Sequence, residues 1–298
     1  MPRKYSRPKM VLCPEREAAQ AAAVAPLAVR AAKERAHREL LTRHVLAPLG
    51  RVVVALLIPL RASPIAIVLS NGIAGLGAAA ALAQGDAVTA AVLLQVKSIL
   101  DNVDGQLARA TGRTSALGRY LDTEVDLLAN IVLFAALGYE TGTWVLAFAS
   151  LLAVTLLLSA DFNANVLYRR VRGSAVVTEP PAGGEGRLAA ALARVYRWVY
   201  GPQDRGLQSF ANRRLERVLE GVADEEVRAR VKLAYHDRVT VTVLSNIGLS
   251  TQLAALGVAL VLGVPTVYMW ATLAAVALLP SLQVRREALA RRALRGAA

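Results

Sequence analysis

Four aspartates inside an apolar part of the chain constrain its fold more than any other feature. Asp101 and Asp104 are three residues apart, and Asp122 and Asp126 are four apart, so each pair lies on one face of a helix. Carboxylates at membrane depth are costly and normally face a bundle interior or a water-filled cavity. Four converging carboxylates repel one another unless cations lie between them, and hard divalent ions take such oxygen ligands. The spacing therefore predicts a site for two Mg²⁺ or Mn²⁺ ions and phosphate chemistry at the mouth of a membrane bundle.

Composition and charge distribution favour a membrane protein over a soluble one. The chain is 55% hydrophobic and carries a net charge of +13. Most of its Lys and Arg residues lie in three blocks, at 1–61, 169–238 and 285–295. Three short connections carry no Lys or Arg, at 84–86, 138–142 and 262–265. By the positive-inside rule, both termini and the aspartate site are predicted to be cytoplasmic, in the cell or inner membrane. The basic face is expected to attract anionic lipid rather than nucleic acid.

Apolar runs along the chain predict an all-α integral membrane protein with six transmembrane helices. The expected spans are 64–83, 87–110, 116–138, 143–162, 239–262 and 265–283. Residues 1–61 are predicted to form an N-terminal helical segment that includes an interfacial amphipathic helix. Residues 62–285 are predicted to form the six-helix catalytic domain, with a cytoplasmic helical insertion at about 165–236 between helices 4 and 5, and residues 286–298 are predicted to form a basic cytoplasmic tail. Within the insertion, a loop at 174–186 and a break near Gly201 and Pro202 predict a helical hairpin.

Small and basic residues accompany the aspartates on the same helical faces. Gly105, Ala108 and Arg109 continue the stripe of Asp101 and Asp104, because they follow at helical spacing. Glycine costs a helix about 1 kcal/mol relative to alanine, so its position between carboxylates indicates that a group packs close to the backbone. The arginine can contact phosphate or hold a carboxylate in place. These residues predict a small-residue groove beside the metal site.

The complete spacing, D-x2-D-G-x2-A-R-x8-G-x3-D-x3-D from Asp101 to Asp126, resembles the signature of the CDP-alcohol phosphotransferase (CDP-alcohol phosphatidyltransferase) family. The resemblance implies a six-span membrane enzyme that moves a phosphoalcohol from a CDP-linked donor to a hydroxyl acceptor, releases CMP and forms a homodimer. By position it implies that the four aspartates hold the metals and that Asp126 is also the base. It further implies that the CDP portion of the donor is bound by Asp104, Gly105, Ala108, Arg109 and Gly118.

The sequence departs from the family pattern at the start of the first span. Members often carry Pro-Asn and, three residues on, Thr; here Ile65 follows Pro64, and Val68 replaces the Thr. Asn71, one helical turn further on, is the candidate to substitute for these residues. The departure affects the outer wall of the site rather than the metal core.

Four polar residues are candidates for binding the acceptor, each with an alternative. Lys97 either pairs with Asp101 one turn away or contacts a substrate phosphate. Asn163 and Arg169 either orient the acceptor or form a solvated helix end. Asn246 either lines the site or makes an interhelical hydrogen bond.

The favoured function is phosphatidyl transfer from CDP-diacylglycerol to a polar alcohol in phospholipid biosynthesis. One alternative within the same chemistry is a soluble CDP-alcohol donor with a lipid acceptor, because the motif reads only the shared CDP and metal portion. A rival from another class is an ion-coupled transporter that uses the aspartates as its cation site. Spans two and three contain no proline, whereas transporter spans are usually interrupted by Gly or Pro at the membrane midplane.

Overall fold

A computed structural model of the chain describes residues 39–173 and 186–296, and every regular element in these two ranges is helical. A π-helical turn at Thr42–Leu46 leads directly into the first α-helix. The α-helices are α1 Ala47–Leu57, α2 Pro64–Ala83, α3 Ala87–Thr111, α4 Ala116–Thr141, α5 Trp144–Arg170, α6 Gly186–Val218, α7 Glu225–Tyr235, α8 Arg238–Ser245, α9 Leu249–Val261, α10 Pro265–Val276 and α11 Leu278–Arg295.

Four stretches of the described chain are long and apolar enough to cross a membrane. They are Pro64–Ala83, Trp144–Arg170, Glu225–Val261 and Pro265–Arg295. Helices α3 and α4, which the sequence predicts as further spans, are not in this set because charged side chains interrupt their apolar runs. The all-helical membrane fold is therefore confirmed, whereas the number of six spans stays a prediction.

The main core lies between α2, α3, α4, α5, α9 and α10 and consists mainly of Ala and Leu side chains. Small residues on α2 allow the closest approach. A Cβ atom built on Gly72 would lie 2.5 Å from Val125 Cγ1, and one built on Gly75 would lie 2.8 Å from Ala129 Cβ. The backbone of α2 therefore lies almost directly against side chains of α4. Small residues permit this close approach in membrane bundles.

The predicted insertion contains two helices, but its turn lies elsewhere than expected. Helix α6 continues through Pro202, so the break predicted near Gly201 and Pro202 is wrong. A proline removes one backbone donor, and this helix continues despite that loss. The chain instead turns after Val218, where Gly221 has a φ of +78° and Asp224 begins α7 by accepting hydrogen bonds from the N–H groups of Glu226 and Val227. Of the loop predicted at 174–186, residues 174–185 lie outside the described residues and Gly186 begins α6.

The two insertion helices and the C-terminal helix α11 share a small apolar core of their own. Leu215 of α6 and Leu219, just after its end, pack there with Val231 and Tyr235 of α7 and with Ala290 of α11. Arg214 and Glu287 reinforce the contact with an ion pair of 2.5 Å between α6 and α11. The predicted boundary between bundle and basic tail, at 285, therefore falls in the middle of a continuous helix.

The predicted fifth span is two helices rather than one. Helix α8 ends at Ser245 and α9 begins at Leu249, with Gly248 in extended conformation between them. The N-terminal arm is anchored at this break, because the Glu39 carboxylate accepts hydrogen bonds from the backbone N–H (2.6 Å) and the hydroxyl of Thr251. An acidic side chain at a helix N-terminus satisfies backbone donors that have no partner within the helix. Residues 1–38 of the predicted N-terminal segment lie outside the described part.

Candidate active site

The four motif aspartates lie on two helices joined by a short turn. Helix α3 ends at Gly112, which has a φ of +69°. Helix α4 starts after Ser115, whose hydroxyl accepts a 2.9 Å hydrogen bond from the N–H of Gly118. This turn places the C-terminal half of α3 beside the N-terminal half of α4. The two carboxylate stripes predicted from the sequence therefore face the same region.

Three of the four aspartates converge. Asp101, Asp122 and Asp126 each offer a carboxylate oxygen, and these oxygens lie within 4.8 Å of one another. All three side chains are half-buried. Asp104, which the sequence predicts as a fourth ligand, is buried on α3 and is not part of this group of three. The arrangement offers only oxygen donors and suits a hard divalent cation such as Mg²⁺ or Mn²⁺.

A buried lysine forms an ion pair with Asp126. The side chain of Lys97 is 1% exposed, and its Nζ lies 2.5 Å from Asp126 Oδ1 and 3.2 Å from Asn71 Oδ1. Asn71, which is fully buried, also donates from Nδ2 to Asp126 Oδ1 at 3.1 Å. The ion pair predicted between Lys97 and Asp101 is therefore wrong in its partner. Spacing within one helix favoured Asp101, whereas the packing of both α3 and α4 against α2 brings Asp126 to Lys97.

The residues predicted to bind the CDP portion line the turn side of the same two helices. Gly105, Ala108 and Arg109 are half-buried on α3, and Gly118 is half-buried on α4. The space above Gly105 holds the guanidinium of Arg109, whose Nη1 would lie 3.1 Å from a Cβ built on that glycine. The long arginine side chain can move aside, so the small residue leaves room that a ligand could take.

The candidate acceptor residues have different surroundings. Asn163 is buried, donates to Asp204 Oδ1 at 2.7 Å and accepts from Gln208 Nε2 at 2.6 Å, so its amide joins α5 to α6. The Asn246 oxygen accepts from the backbone N–H of Leu40 at 2.9 Å, so this side chain joins α8 to the N-terminal arm. Arg169 is half-buried in the last turn of α5. A role of these residues and of Lys97 in acceptor binding stays a prediction.

Sequence reasoning missed the contribution of α6 to the site. The rings of Tyr120 on α4 and Tyr196 on α6 meet edge to face, with centroids 6.0 Å apart, and Tyr200 lies one turn further along α6. Burial, together with the charges of Asp126 and Glu124, raises the pKa of the Tyr200 hydroxyl. On α6, a half-buried stripe recurs at helical spacing and consists of Tyr196, Tyr200, Asp204 and Leu207. This spacing is the sequence signal from which a contribution of α6 could have been predicted.

Comparison with known proteins agrees with this geometry. The sequence model of the CDP-alcohol phosphatidyltransferase family matches residues 61–196. A bifunctional IPC transferase and DIPP synthase of Thermococcus kodakarensis is 48% identical over 52 residues, which are 17% of this chain and 12% of that protein. An archaetidylinositol phosphate synthase of Pyrococcus horikoshii is 45% identical over 53 residues, which are 17% of this chain and 28% of that protein.

These two alignments span only a small part of each relative, and no solved structure matches the chain. The matched family segment begins three residues before α2 and ends within α6, so it includes all four motif aspartates and both helices that carry them. The family and the relatives' names indicate a transferase of phosphate-containing groups. Residues 61–196 of this chain therefore form a CDP-alcohol phosphatidyltransferase domain.

Proposed function

We propose that this chain catalyses the metal-dependent transfer of a phosphoalcohol from a CDP-linked donor to the hydroxyl of a polar acceptor, with release of CMP. The convergence of Asp101, Asp122 and Asp126 within the matched domain carries the proposal. Carboxylates are costly in an apolar bundle, and such a cluster is the expected solution for holding cations beside a diphosphate.

We favour CDP-diacylglycerol as donor, and hence a role in phospholipid biosynthesis. The name of the P. horikoshii relative places inositol phosphate in that protein's product, so inositol phosphate is the first acceptor to test, followed by glycerol phosphate and serine. A soluble CDP-alcohol donor with a lipid acceptor is the alternative. In either case the motif residues would contact the CDP portion, which both kinds of donor share.

The side chains fit divalent cations, for which Asp101, Asp122 and Asp126 would be ligands and Asp104 a further candidate. When bound, two such ions would neutralise charge on the transferred phosphate and on the departing CMP. In the proposed donor site, Gly105, Ala108 and Gly118 leave room for the nucleoside. Arg109 would contact the diphosphate, because its planar guanidinium matches phosphate oxygens.

Asp126 is the proposed general base. Its carboxylate takes the proton of the acceptor hydroxyl while the acceptor oxygen forms a bond to the donor phosphorus. The bond between that phosphorus and the bridging oxygen of the diphosphate breaks, and CMP leaves with the electron pair. Lys97 and Asn71 both bind Asp126 Oδ1, so they fix the orientation of the carboxylate and leave Oδ2 for the acceptor. A positioned base of this kind contributes about 10²–10⁴-fold to rate.

We further propose six spans with the active site on the cytoplasmic side. Helices α3 and α4 would add two spans to the four apolar stretches, because their charged ends line the site instead of facing lipid.

The outer face of α6 suits the membrane interface on the cytoplasmic side. Exposed Trp198 lies there with Arg194, Arg197 and Arg205 around a cavity of about 520 Å³. On α1, exposed Val52 and Leu56 present an apolar face of the kind an interfacial helix buries in lipid. Homodimerisation is part of the proposal on the family resemblance alone.

The test is CMP release by the purified full chain with CDP-diacylglycerol, Mg²⁺ or Mn²⁺ and the three acceptors. We expect release that depends on one acceptor and is lost with EDTA. Asp126→Asn should reduce transfer by at least about 100-fold, because the amide cannot take the proton. Asp86→Asn is the matched control, since this exposed residue begins α3 at the opposite end and asparagine serves equally as a helix cap.

Each outcome of this test distinguishes the candidate functions. Asp126→Asn with wild-type activity would remove Asp126 from the role of base. Release only with soluble CDP-alcohols and a lipid acceptor would establish the alternative donor. CMP-independent, cation-coupled uptake by proteoliposomes would favour the transporter. The helices carrying the carboxylates are uninterrupted, which argues against that rival.

A further inference from the structure

Lys97 brings a positive charge to the edge of the carboxylate cluster, and packing holds it there. Its side chain is 1% exposed. The stem lies against Gly75 of α2, where an added Cβ would be 3.3 Å from both Cδ and Cε of the lysine. The ammonium lies 2.5 Å from Asp126 Oδ1 and 3.2 Å from Asn71 Oδ1. Because the stem is enclosed, the ammonium is held beside Asp126.

One oxygen of Asp126 therefore has two donors from the protein itself. Lys97 Nζ donates to Oδ1 at 2.5 Å, and Asn71 Nδ2 donates to the same atom at 3.1 Å. A carboxylate has about two lone-pair directions on each oxygen, so these two donors fill the capacity of Oδ1. Lys97 thus occupies a place on this carboxylate that a metal cation would otherwise take.

The charges at the cluster lead to the same conclusion. Asp101, Asp122 and Asp126 carry three negative charges on oxygens that lie within 4.8 Å of one another, and Lys97 adds one positive charge at Asp126. A divalent ion bound by Asp126 would share this carboxylate with the ammonium. Two cations so close repel each other, and they do so more strongly in a half-buried site than in water.

We infer that Lys97 is a built-in cation of the carboxylate cluster, which competes with divalent metal for Asp126. It weakens the affinity of the cluster for metal and leaves Asp126 available to take the acceptor proton. The inference rests on the proposed function and deepens it, because it assigns to Lys97 the division between the carboxylates that hold metal and the one that acts as base. Lys97 is thus a positioning residue, which acts through Asp126.

The test measures Mn²⁺ binding to the purified full chain in detergent, without donor or acceptor. Electron paramagnetic resonance of unbound Mn²⁺ gives the affinity and needs no turnover. Lys97→Met should bind Mn²⁺ at least about tenfold more tightly than wild type, because the competing cation is lost. Damage to the packing of the site would weaken binding, so a tighter variant identifies an electrostatic role.

A double-mutant cycle separates charge from ligation. Asp126→Asn should weaken Mn²⁺ binding, because it removes a carboxylate and leaves the charge of Lys97 uncompensated. Lys97→Met/Asp126→Asn should return the affinity to about that of wild type, since one positive and one negative charge are removed together. If Lys97→Met does not fold, the double variant still provides the test. It should bind Mn²⁺ at least about tenfold more tightly than Asp126→Asn alone.

Two further variants are controls. Lys232→Met removes the charge of a half-buried lysine on α7 of the insertion and should leave Mn²⁺ affinity unchanged. Asp122→Asn should weaken binding, which verifies that the measured ion lies at the cluster. Thermal unfolding in detergent verifies that each variant is folded.

Unchanged or weaker Mn²⁺ binding by Lys97→Met would overturn the inference and leave the proposed transfer intact. A double variant as weak as Asp126→Asn would do the same, because Asp126 would then be an ordinary metal ligand. Wild-type affinity in Asp122→Asn would place the bound Mn²⁺ elsewhere and also overturn the inference. The expected binding pattern in a protein that releases no CMP with any donor and acceptor would overturn the proposed function alone.

Discussion

At the residue scale, Lys97 compensates the charge of one site carboxylate, that of Asp126, when no cation is bound. Its ammonium is buried, and the nearest carboxylate oxygen is that of Asp126, at 2.5 Å. An unpaired charge at this depth would be strongly unfavourable, so the lysine and the aspartate depend on each other. Asn71 completes the group, because its amide donates to the aspartate and accepts from the lysine. The base is thus held in one orientation before substrate arrives.

Lys97→Met should therefore lower the free energy of unfolding in EDTA by roughly 3 kcal/mol, since it leaves the Asp126 carboxylate without its cationic partner. The double variant Lys97→Met/Asp126→Asn should be more stable than Lys97→Met alone, because no uncompensated charge remains. A double-mutant cycle of thermal unfolding measures this coupling. Additive effects of the two substitutions would show that the ion pair does not stabilise the site.

At the element scale, α2 determines the distance between the helices that form the site. Gly75 faces both Ala129 of α4 and the Lys97 methylenes of α3, which would lie 3.3 Å from an added Cβ. Any side chain at this position would push α4 away or displace the lysine. The small residues of α2 therefore set the separation of Lys97 and Asp126, although none of them takes part in the chemistry.

Gly75→Ala should destabilise the bundle by about 1–3 kcal/mol, the usual cost of overpacking, and should lower kcat by shifting Lys97. Gly77→Ala is the matched control on the same helix, where the added Cβ would meet Leu93 Cδ1 at an ordinary 3.4 Å. There the gain in helix propensity should leave stability equal or slightly higher. Equal effects of the two substitutions in thermal unfolding would contradict close packing at Gly75.

At the scale of the whole molecule, charge divides the protein into two ends. The basic insertion packs on the basic C-terminal helix α11, and α6 extends from there to the carboxylate site. The connections from α2 to α3 and from α4 to α5 lie at the other end of the bundle, and they carry no Lys or Arg. The positive-inside rule would place the basic end in the cytoplasm, as proposed above.

Cysteine accessibility tests the resulting orientation. Cys13 is the only cysteine in the sequence, so Cys13→Ser provides a background free of thiols. In that background, Gln84→Cys and Glu140→Cys should react with an impermeant maleimide on intact cells. Glu220→Cys, in the turn after α6, should react only after permeabilisation. Labelling of Glu220→Cys on intact cells would reverse the proposed orientation and place the site outside.

The sequence predicted the structure correctly wherever residues close together in the chain determine it. The expected starts of the first three spans, at Pro64, Ala87 and Ala116, agree with the helix starts because proline, Asp86 and Ser115 mark them chemically. Helical spacing likewise placed Asp122 and Asp126 on one face. The prediction was wrong at Pro202, where the packing of α6 against its neighbours outweighs the low helix propensity of proline. It also missed the break between α8 and α9.

By itself, the sequence determined the helical membrane fold, the acidic stripes and the family, because these depend on composition and on spacing within single helices. Only the tertiary structure decided that Lys97 pairs with Asp126 instead of Asp101. It likewise decided that Asn163 anchors the insertion and that Asn246 anchors the N-terminal arm. These contacts join residues distant in sequence, and the packing distance and rotation of whole helices set them. No local pattern records those two quantities.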